Sequence, residues 1–400
     1  MNWFGMAADT LESLDATWTA SEIFRQPAVW GMVEDSLLAQ QHAIARFLQP
    51  LLATKSLRIV LTGAGTSAYV GDILAPALMR HLGLRVESIA TTDLVTGPDR
   101  YLQRDVPTLL VSFARSGDSP ESAAALTLAN ARVGKCHHLV ITCNHEGALS
   151  RLSRSLPQSA AYTFTLPDAT HDRAFAMTSS FSSMLLAAAA IFGLIPTGSG
   201  KSARWAMIRN SASALIERFG DTHRDILNAE YKRVVYLGSN EMHGLARESA
   251  LKLLELTDGN VASFCESPLG FRHGPKSLID STTLVVVFLS NEPYTRQYDV
   301  DLLRELKSDG RAGRVLALGT VMPNQAADRD FFPIDGLTDA PDIELAPVFA
   351  IFAQVFAMFQ ALRIKNRPDH PSSSGTVNRV VKGVVIYPWE DEERADVSGY

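Results

Sequence analysis

Residues 58–80 read RIVLTGAGTSAYVGDILAPALMR: a mostly apolar run, a turn of small residues, then a long stretch with apolar positions at helical spacing. A strand that runs into Gly63, Ala64, Gly65, Thr66 and Ser67 and then into a helix gathers backbone N–H groups and the positive end of a helix dipole at one point. The same order recurs from Arg233 as RVVYLGSNEMHGLARESALKLLE. A second pair of strands keeps step: TLLVSFARSGDSPES starts at Thr108 and TLVVVFLSNEPYTRQ at Thr283, each 50 residues after Arg58 and Arg233. Each half continues into one more apolar strand, HHLVITCN at 137–144 and GRVLALGT at 313–320. Continuous apolar strands alternating with helical stretches imply parallel sheets covered on both faces. The expected fold is α/β, two tandem doubly wound parallel-sheet domains at residues 51–200 and 215–365. A helical leader occupies residues 1–50, where Pro27 in TASEIFRQPAVW marks a helix start or break. Residues 366–400 form a C-terminal tail with the loop-like PDHPSSSGTVN and the acidic end EDEERADVSGY.

Composition narrows the function. A net charge of −6 and a pI near 5.9 leave no electrostatic footprint for nucleic acid, although a local basic cluster can still serve a small anion. Cys136, Cys143 and Cys265 are too few and too scattered for a disulfide framework or a zinc site, and read as reduced cysteines of a cytoplasmic protein. The amino terminus lacks a basic segment followed by an apolar one, so no secretion signal is expected. The longest uninterrupted apolar run, Met184–Ile195 with Gly193 inside it, is shorter than the roughly 20 residues that span a bilayer. No membrane partner is expected. No HExxH pair or octahedral acid cluster occurs, so neither a metal nor any other cofactor is expected.

The turn at 63–68 fits G-x-G-x-x-A, with Glu87 about 20 residues on, as a dinucleotide site requires. Against NAD stand the two hydroxyl residues in the turn, the position of Glu87 inside LRVESIATTDL, and a second hydroxyl loop one strand later. In that loop, SFARSGDSPES, Ser119 is placed as an N-cap with Pro120 at the first helical position. Two loops therefore bring hydroxyls and helix starts to the carboxyl ends of two strands in one sheet, where open α/β sheets bind ligands. A monophosphate suits that small polar cradle.

Strand-GTS-helix, strand-ARSGDS-helix, the doubled architecture and ESALKLLELTDGNVASFCESPLGFRHGPKSLID together resemble the sugar isomerase (SIS) family over about residues 50–385. Within it, TASEIFRQPAVW, FARSGDSPES and FRHGPKSL are most similar to the branch known as galactosamine-6-phosphate deaminase and also as tagatose-6-phosphate ketose/aldose isomerase. The resemblance implies a set of roles by comparison with the isomerase domain of glucosamine-6-phosphate synthase. Thr66, Ser67, Ser116 and Ser119 match the hydroxyls that hold the sugar phosphate. Arg115 stands where the synthase has glutamine, after an Ala114 that replaces a serine, and its forked guanidinium suits phosphate as well as a surface position. Glu255 matches the base that moves a proton between C1 and C2 of the opened sugar. Glu248, two turns earlier on the same helix face, is a candidate substrate or support residue, and Lys252 lies between the two acids. His273, in a loop bounded by glycines and Pro275, matches the ring-opening histidine. Lys382 matches a catalytic lysine on the tail, which enters the active site in the synthase. Thr178 and Ser179 are candidate sugar ligands, with His171 and Asp172 as alternative helix caps.

The resemblance implies an enzyme that converts galactosamine 6-phosphate to tagatose 6-phosphate and ammonia. A simple ketose/aldose phosphate isomerase, a glucosamine-6-phosphate deaminase and a non-catalytic sugar-phosphate sensor are the alternatives. It also implies a homodimer or higher homo-oligomer, because in the relatives the loop histidine completes a neighbour's site.

Overall fold

The computed structural model describes residues 2–198, 202–221, 224–324, 328–381 and 383–389. A short hairpin, β1 (Asn2–Trp3) and β2 (Met6–Ala7), leads into helices α1 (Ala8–Ser13), α2 (Thr17–Phe24) and α3 (Gln26–Leu52). Pro27 sits in the first turn of α3, where its missing N–H costs nothing. The first α/β unit follows: β3 (Arg58–Thr62), α4 (Thr66–Leu82), β4 (Arg85–Ser88), α5 (Thr91–Thr96), α6 (Pro98–Tyr101), β5 (Thr108–Ala114), α7 (Pro120–Arg132), β6 (Cys136–Thr142), α8 (Ala148–Ser155) and β7 (Ala161–Thr165). Helices α9 (Ser179–Ile191), α10 (Ser202–Asp221) and α11 (Arg224–Asn228) lead to the second. It comprises β8 (Arg233–Leu237), α12 (Glu241–Leu256), β9 (Ala262–Glu266), α13 (Pro268–Phe271), β10 (Thr283–Phe288), α14 (Pro293–Asp309), β11 (Arg314–Gly319), β12 (Phe331–Pro333) and α15 (Asp342–Arg363).

Both sheets have five strands, all neighbours parallel, in matching orders: β4, β3, β5, β6, β7 and β9, β8, β10, β11, β12. The 50-residue spacing in the sequence is the pairing register itself, since Arg58 lies opposite Thr108 and Arg233 opposite Thr283. Side chains alternate faces along each strand. Val60 and Leu110 pack outward against Leu94, Ala125 and Ala129, while Ile59, Leu61, Leu109 and Val111 face inward. In the second sheet Val235, Val285 and Val287 face α14 through Leu302, Leu303 and Leu306, and Val234, Leu284 and Val286 face inward.

The two inner faces belong to one continuous core, filled by α3, α4, α9, α10, α12 and α15. The 22-residue α15 is its axis, long and apolar enough to cross a membrane yet buried inside the protein along almost all its length. A reading by uninterrupted runs picks out Met184–Ile195 and passes over α15, because Glu344, Pro347, Gln354 and Gln360 punctuate it. Those polar groups have partners: Arg204 pairs with Glu344, Gln26 donates to Gln354, and Gln360 donates to the Leu227 carbonyl.

Candidate active site

The first crevice lies at the carboxyl ends of β3 and β5. Gly63 is needed there because a Cβ would stand 2.5 Å from the Ser67 backbone, and Gly65 holds φ +55° to launch α4. Thr66 and Ser67, the first residues of α4, are both buried. On the neighbouring strand Gly117 turns the chain with φ +67°, and Ser119 stands at the N-cap position of α7 with Pro120 behind it, although its hydroxyl makes no capping bond to the helix backbone. The Ser116 hydroxyl accepts the Asp118 N–H at 3.3 Å, and the Ser119 and Ser122 hydroxyls meet at 2.7 Å. The four predicted hydroxyls thus stand at two helix starts on adjacent strands, and no carboxylate of the protein hydrogen-bonds the hydroxyls of Ser67, Ser116 or Ser119 among the described residues.

The matching crevice of the second sheet differs chemically. There Asp342 accepts the Ser290 hydroxyl at 2.5 Å and the Asn291 N–H at 2.8 Å, and Asp299 accepts the Ser290 N–H at 2.9 Å and the Ser239 hydroxyl at 2.7 Å. The protein's own carboxylates occupy the donors an external anion would need. In the first crevice, by contrast, the hydroxyls of Ser67, Ser116 and Ser119 stay clear of the protein's carboxylates among the described residues.

Helix α12 crosses antiparallel to α4 and brings the second half's acids to the first half's crevice. The crossing is close because Gly244 has no side chain: a Cβ there would lie 2.7 Å from the Ile73 nitrogen. Arg247 stacks over Tyr69 at 5.0 Å, and the next residue, Glu248, comes beside the Thr66 hydroxyl. Lys252 is fully buried, 3.6 Å from Glu248 and in direct contact with Glu255. Glu248 is buried too, whereas the Glu255 side chain is 23% exposed and is the member of the trio that opens to solvent. Burial pushes the Glu248 carboxyl up to about 8; Lys252 opposes that shift and Glu255 adds to it. Burial acts to lower the Lys252 ammonium, but Glu248 and Glu255 outweigh it and hold the group above its ordinary value. The trio therefore carries one buried acid whose proton is held more tightly than usual, one held cation and one accessible carboxyl group.

Three predicted ligands do other work. Arg115 is buried, and its guanidinium donates to the Phe175 carbonyl at 2.9 Å and to the Arg379 carbonyl at 2.7 Å. These two bonds clasp the tail to the segment before α9. Arg379 returns the contact by donating to the carbonyls of Asp172 and Ala174. Thr178 and Ser179, the candidate sugar ligands, are both fully buried with hydroxyls bonded inside the protein. Thr178 donates to Asp172 at 3.1 Å and Ser179 to the Glu22 carbonyl at 3.0 Å. Asp172 is the cap, accepting the backbone N–H groups of Thr178, Ser179 and Ser180. Glu22 of the leader supports the same segment by accepting the N–H groups of Arg173 and Ala174, at 2.6 and 3.2 Å.

His273 is exposed between α13 and a 3-10 turn, Pro275–Leu278, with Gly274 at φ +125°. Arg272 and Lys276 on either side bind Glu305 of α14, which pins the loop. No hydrogen bond or ion pair among the described residues joins His273 to Glu255. Lys382 lies outside the described residues. Glu87 is paired with Arg58 and Arg85, so the acid that a dinucleotide ribose would need is already bound.

Of the two caps the sequence offered, Asp172 is the one that serves α9; sequence reasoning missed Glu22 and Arg379. TASEIFRQPAVW and HDRAFAMTSSF both drew notice, but their meeting spans 151 residues and has no sequence signature.

The SIS domain model matches residues 51–193. D-galactosamine-6-phosphate deaminase AgaS of Escherichia coli is 48% identical over 375 residues, 94% of this chain and 96% of that protein. The protein of the same name from Shewanella sp. (strain ANA-3) is 45% identical over 389 residues, 96% of this chain and 95% of that one. Among solved structures, tagatose-6-phosphate ketose/aldose isomerase from Escherichia coli superposes with a TM-score of 0.87 at 44% identity, covering 98% of this chain and all of the other. With such identity along nearly the whole of both chains, this protein belongs to the SIS family, in the branch of the AgaS proteins.

Proposed function

We propose that this protein deaminates galactosamine 6-phosphate to tagatose 6-phosphate and ammonia. The observation that carries the reading is the apposition of α4 and α12, which sets an accessible carboxyl group, Glu255, and a buried cation, Lys252, against an unfilled hydroxyl cradle at two helix starts. In this reading Thr66, Ser67, Ser116 and Ser119 bind the phosphate with the N–H groups behind them. His273 moves a proton between the ring oxygen and the C1 hydroxyl to open the sugar. Glu255 takes the C2 proton and returns it to C1, leaving a ketimine at C2 that water hydrolyses to the ketone with release of ammonia. Lys252 holds Glu255 in position, and the buried Glu248 supports Thr66. Lys382 on the tail is assigned to the same site, and His273 to the site of a second chain in a homodimer or larger homo-oligomer.

A second reading, isomerisation of tagatose 6-phosphate without loss of ammonia, uses the same proton transfer and draws on the activity for which the Escherichia coli structure is described. One experiment separates the two. The purified protein is given galactosamine 6-phosphate and tagatose 6-phosphate in turn, and ammonia and sugar products are measured separately. Equimolar ammonia and ketose from the amino sugar establish deamination, while turnover of tagatose 6-phosphate alone establishes the isomerase.

A further inference from the structure

A third loop stands behind the first crevice. It joins β6 to α8 and runs beside the loop of Ser116, because β6 is the neighbour of β5 in the sheet. Each residue from Ser116 to Asp118 is tied to it or to the start of α8. The Asn144 side-chain amide donates to the Ser116 carbonyl at 2.8 Å, the Leu149 N–H to the Gly117 carbonyl at 2.9 Å, and the Ala148 N–H to an Asp118 carboxylate oxygen at 3.0 Å. The loops also meet where Gly147 has no side chain, since a Cβ there would collide with the Ser116 carbonyl.

Of these three hydrogen bonds only that of Asn144 has a side-chain donor, so it is the one that a substitution in the third loop removes. The amide has one orientation: its Oδ1 accepts the Glu146 N–H at 3.1 Å, which leaves the NH2 group to face Ser116, and the Asn144 backbone N–H donates to the Thr142 hydroxyl at 3.2 Å. Untied, the Ser116 loop has a hinge, because Gly117 stands at φ +67° and glycine moves freely between backbone conformations. On its other side the loop is fixed through the buried Arg115 and its bonds to Phe175 and Arg379. Asn144 therefore governs the part of the loop that carries the Ser116 hydroxyl, which accepts the Asp118 N–H at 3.3 Å.

We propose that Asn144 is a positioning residue of the cradle, acting through the Ser116 carbonyl to hold the Ser116 hydroxyl where a phosphate monoester meets it together with Thr66 and Ser67. A loop that is ordered beforehand does not have to be ordered by the ligand, so the tie contributes to affinity. It takes no part in the proton transfer assigned to Glu255, so its loss falls on KM and not on kcat. The inference rests on the phosphate cradle of the proposed function, and is independent of whether ammonia is released.

The test is calorimetric titration of the full chain with tagatose 6-phosphate, beside tagatose, which lacks the phosphate. Asn144→Ala should weaken binding of the phosphorylated sugar about 5–10-fold and raise KM for galactosamine 6-phosphate by a similar factor, with kcat within about twofold. A double-mutant cycle separates positioning from general damage: because Asn144 acts through Ser116, Asn144→Ala should weaken binding far less in a Ser116→Ala background than in the native one. Gly147→Ala, which presses on the same carbonyl from the same loop, should also weaken binding, so the outcome does not hang on one variant. The proposal is overturned if both loop variants bind tagatose 6-phosphate as the native protein does, if the losses at Asn144 and Ser116 simply add, or if the loss falls on kcat alone. A native protein that binds tagatose as well as tagatose 6-phosphate would refute the cradle itself, a failure seen before any variant is made, and the positioning role with it.

Discussion

Glu255, Lys252 and Glu248 share one helix face, yet of the three only Glu255 reaches solvent, and that difference in access supports the proton transfer proposed for it. Glu255→Gln is expected to lower kcat about 10²–10⁴-fold while substrate affinity stays within several-fold, because the lost group acts on the proton in flight. Turnover kinetics beside direct titration of galactosamine 6-phosphate check this; a Gln variant with full activity would move the base to another residue. Glu22 makes a different prediction. Its carboxyl is raised to about 8, first by burial and then by the Asp172 charge, against an unfolded value near 4.5. Between those values the unfolded chain has released a proton that the folded protein keeps, so stability falls as pH rises from about 4.5 toward 8. Glu248 titrates in the same sense. Urea unfolding across that window should show a decline that Glu22→Gln makes shallower. At this scale the sequence was informative where a residue's partner is near in the chain, as with Ser119 and Pro120, or Lys252 between its acids. The clasp made by the buried Arg115 was illegible because its acceptors, Phe175 and Arg379, lie 60 and 264 residues away.

Elements were more legible than residues. A strand's apolar run and a turn's glycines are local facts, so the paired starts at Arg58 and Thr108, and at Arg233 and Thr283, could be read directly and reappear as register. What a one-dimensional pattern does not carry is which helices cross, and the α4–α12 crossing is the one that builds the site. Gly244 is its contact point. Gly244→Ala forces the helices apart against backbone atoms of Asp72 and Ile73, and should cost about 1–3 kcal/mol of stability. The same displacement moves Glu248 and Glu255 relative to Thr66, so kcat/KM should fall more than any loss of folded protein explains. Denaturant unfolding and assays at temperatures where the variant is fully folded separate the two effects; an unchanged kcat/KM would mean that the crossing tolerates the shift.

At the scale of the whole molecule, the exposed loop of His273 bears on the proposed assembly. If Glu255 of one chain works with His273 of another, Glu255→Gln and His273→Asn should each be nearly inactive alone. After unfolding and refolding in equal mixture, about half of the dimers should hold one chain of each kind. Each such dimer has one intact site of two, so roughly a quarter of native activity should return. Activity no higher than the average of the separate variants, with mixing demonstrated by mass, would assign His273 to its own chain.

The placement of α15 has a consequence for how the chain comes to be folded. Both sheets rest their inner faces on a core whose axis is residues 342–363, and these are made after every strand. Chains grow from the amino end at about 5–20 residues per second, so the first sheet, finished at Thr165, waits roughly 10–40 s with the apolar side meant for α15 uncovered, and the second, finished at Pro333, roughly 2–6 s. The first half is thus not a free-standing product of early synthesis but a waiting intermediate. A nascent chain stopped before Asp342 should need a chaperone to stay dispersed, while one carried past Arg363 should suddenly resist protease along its whole length.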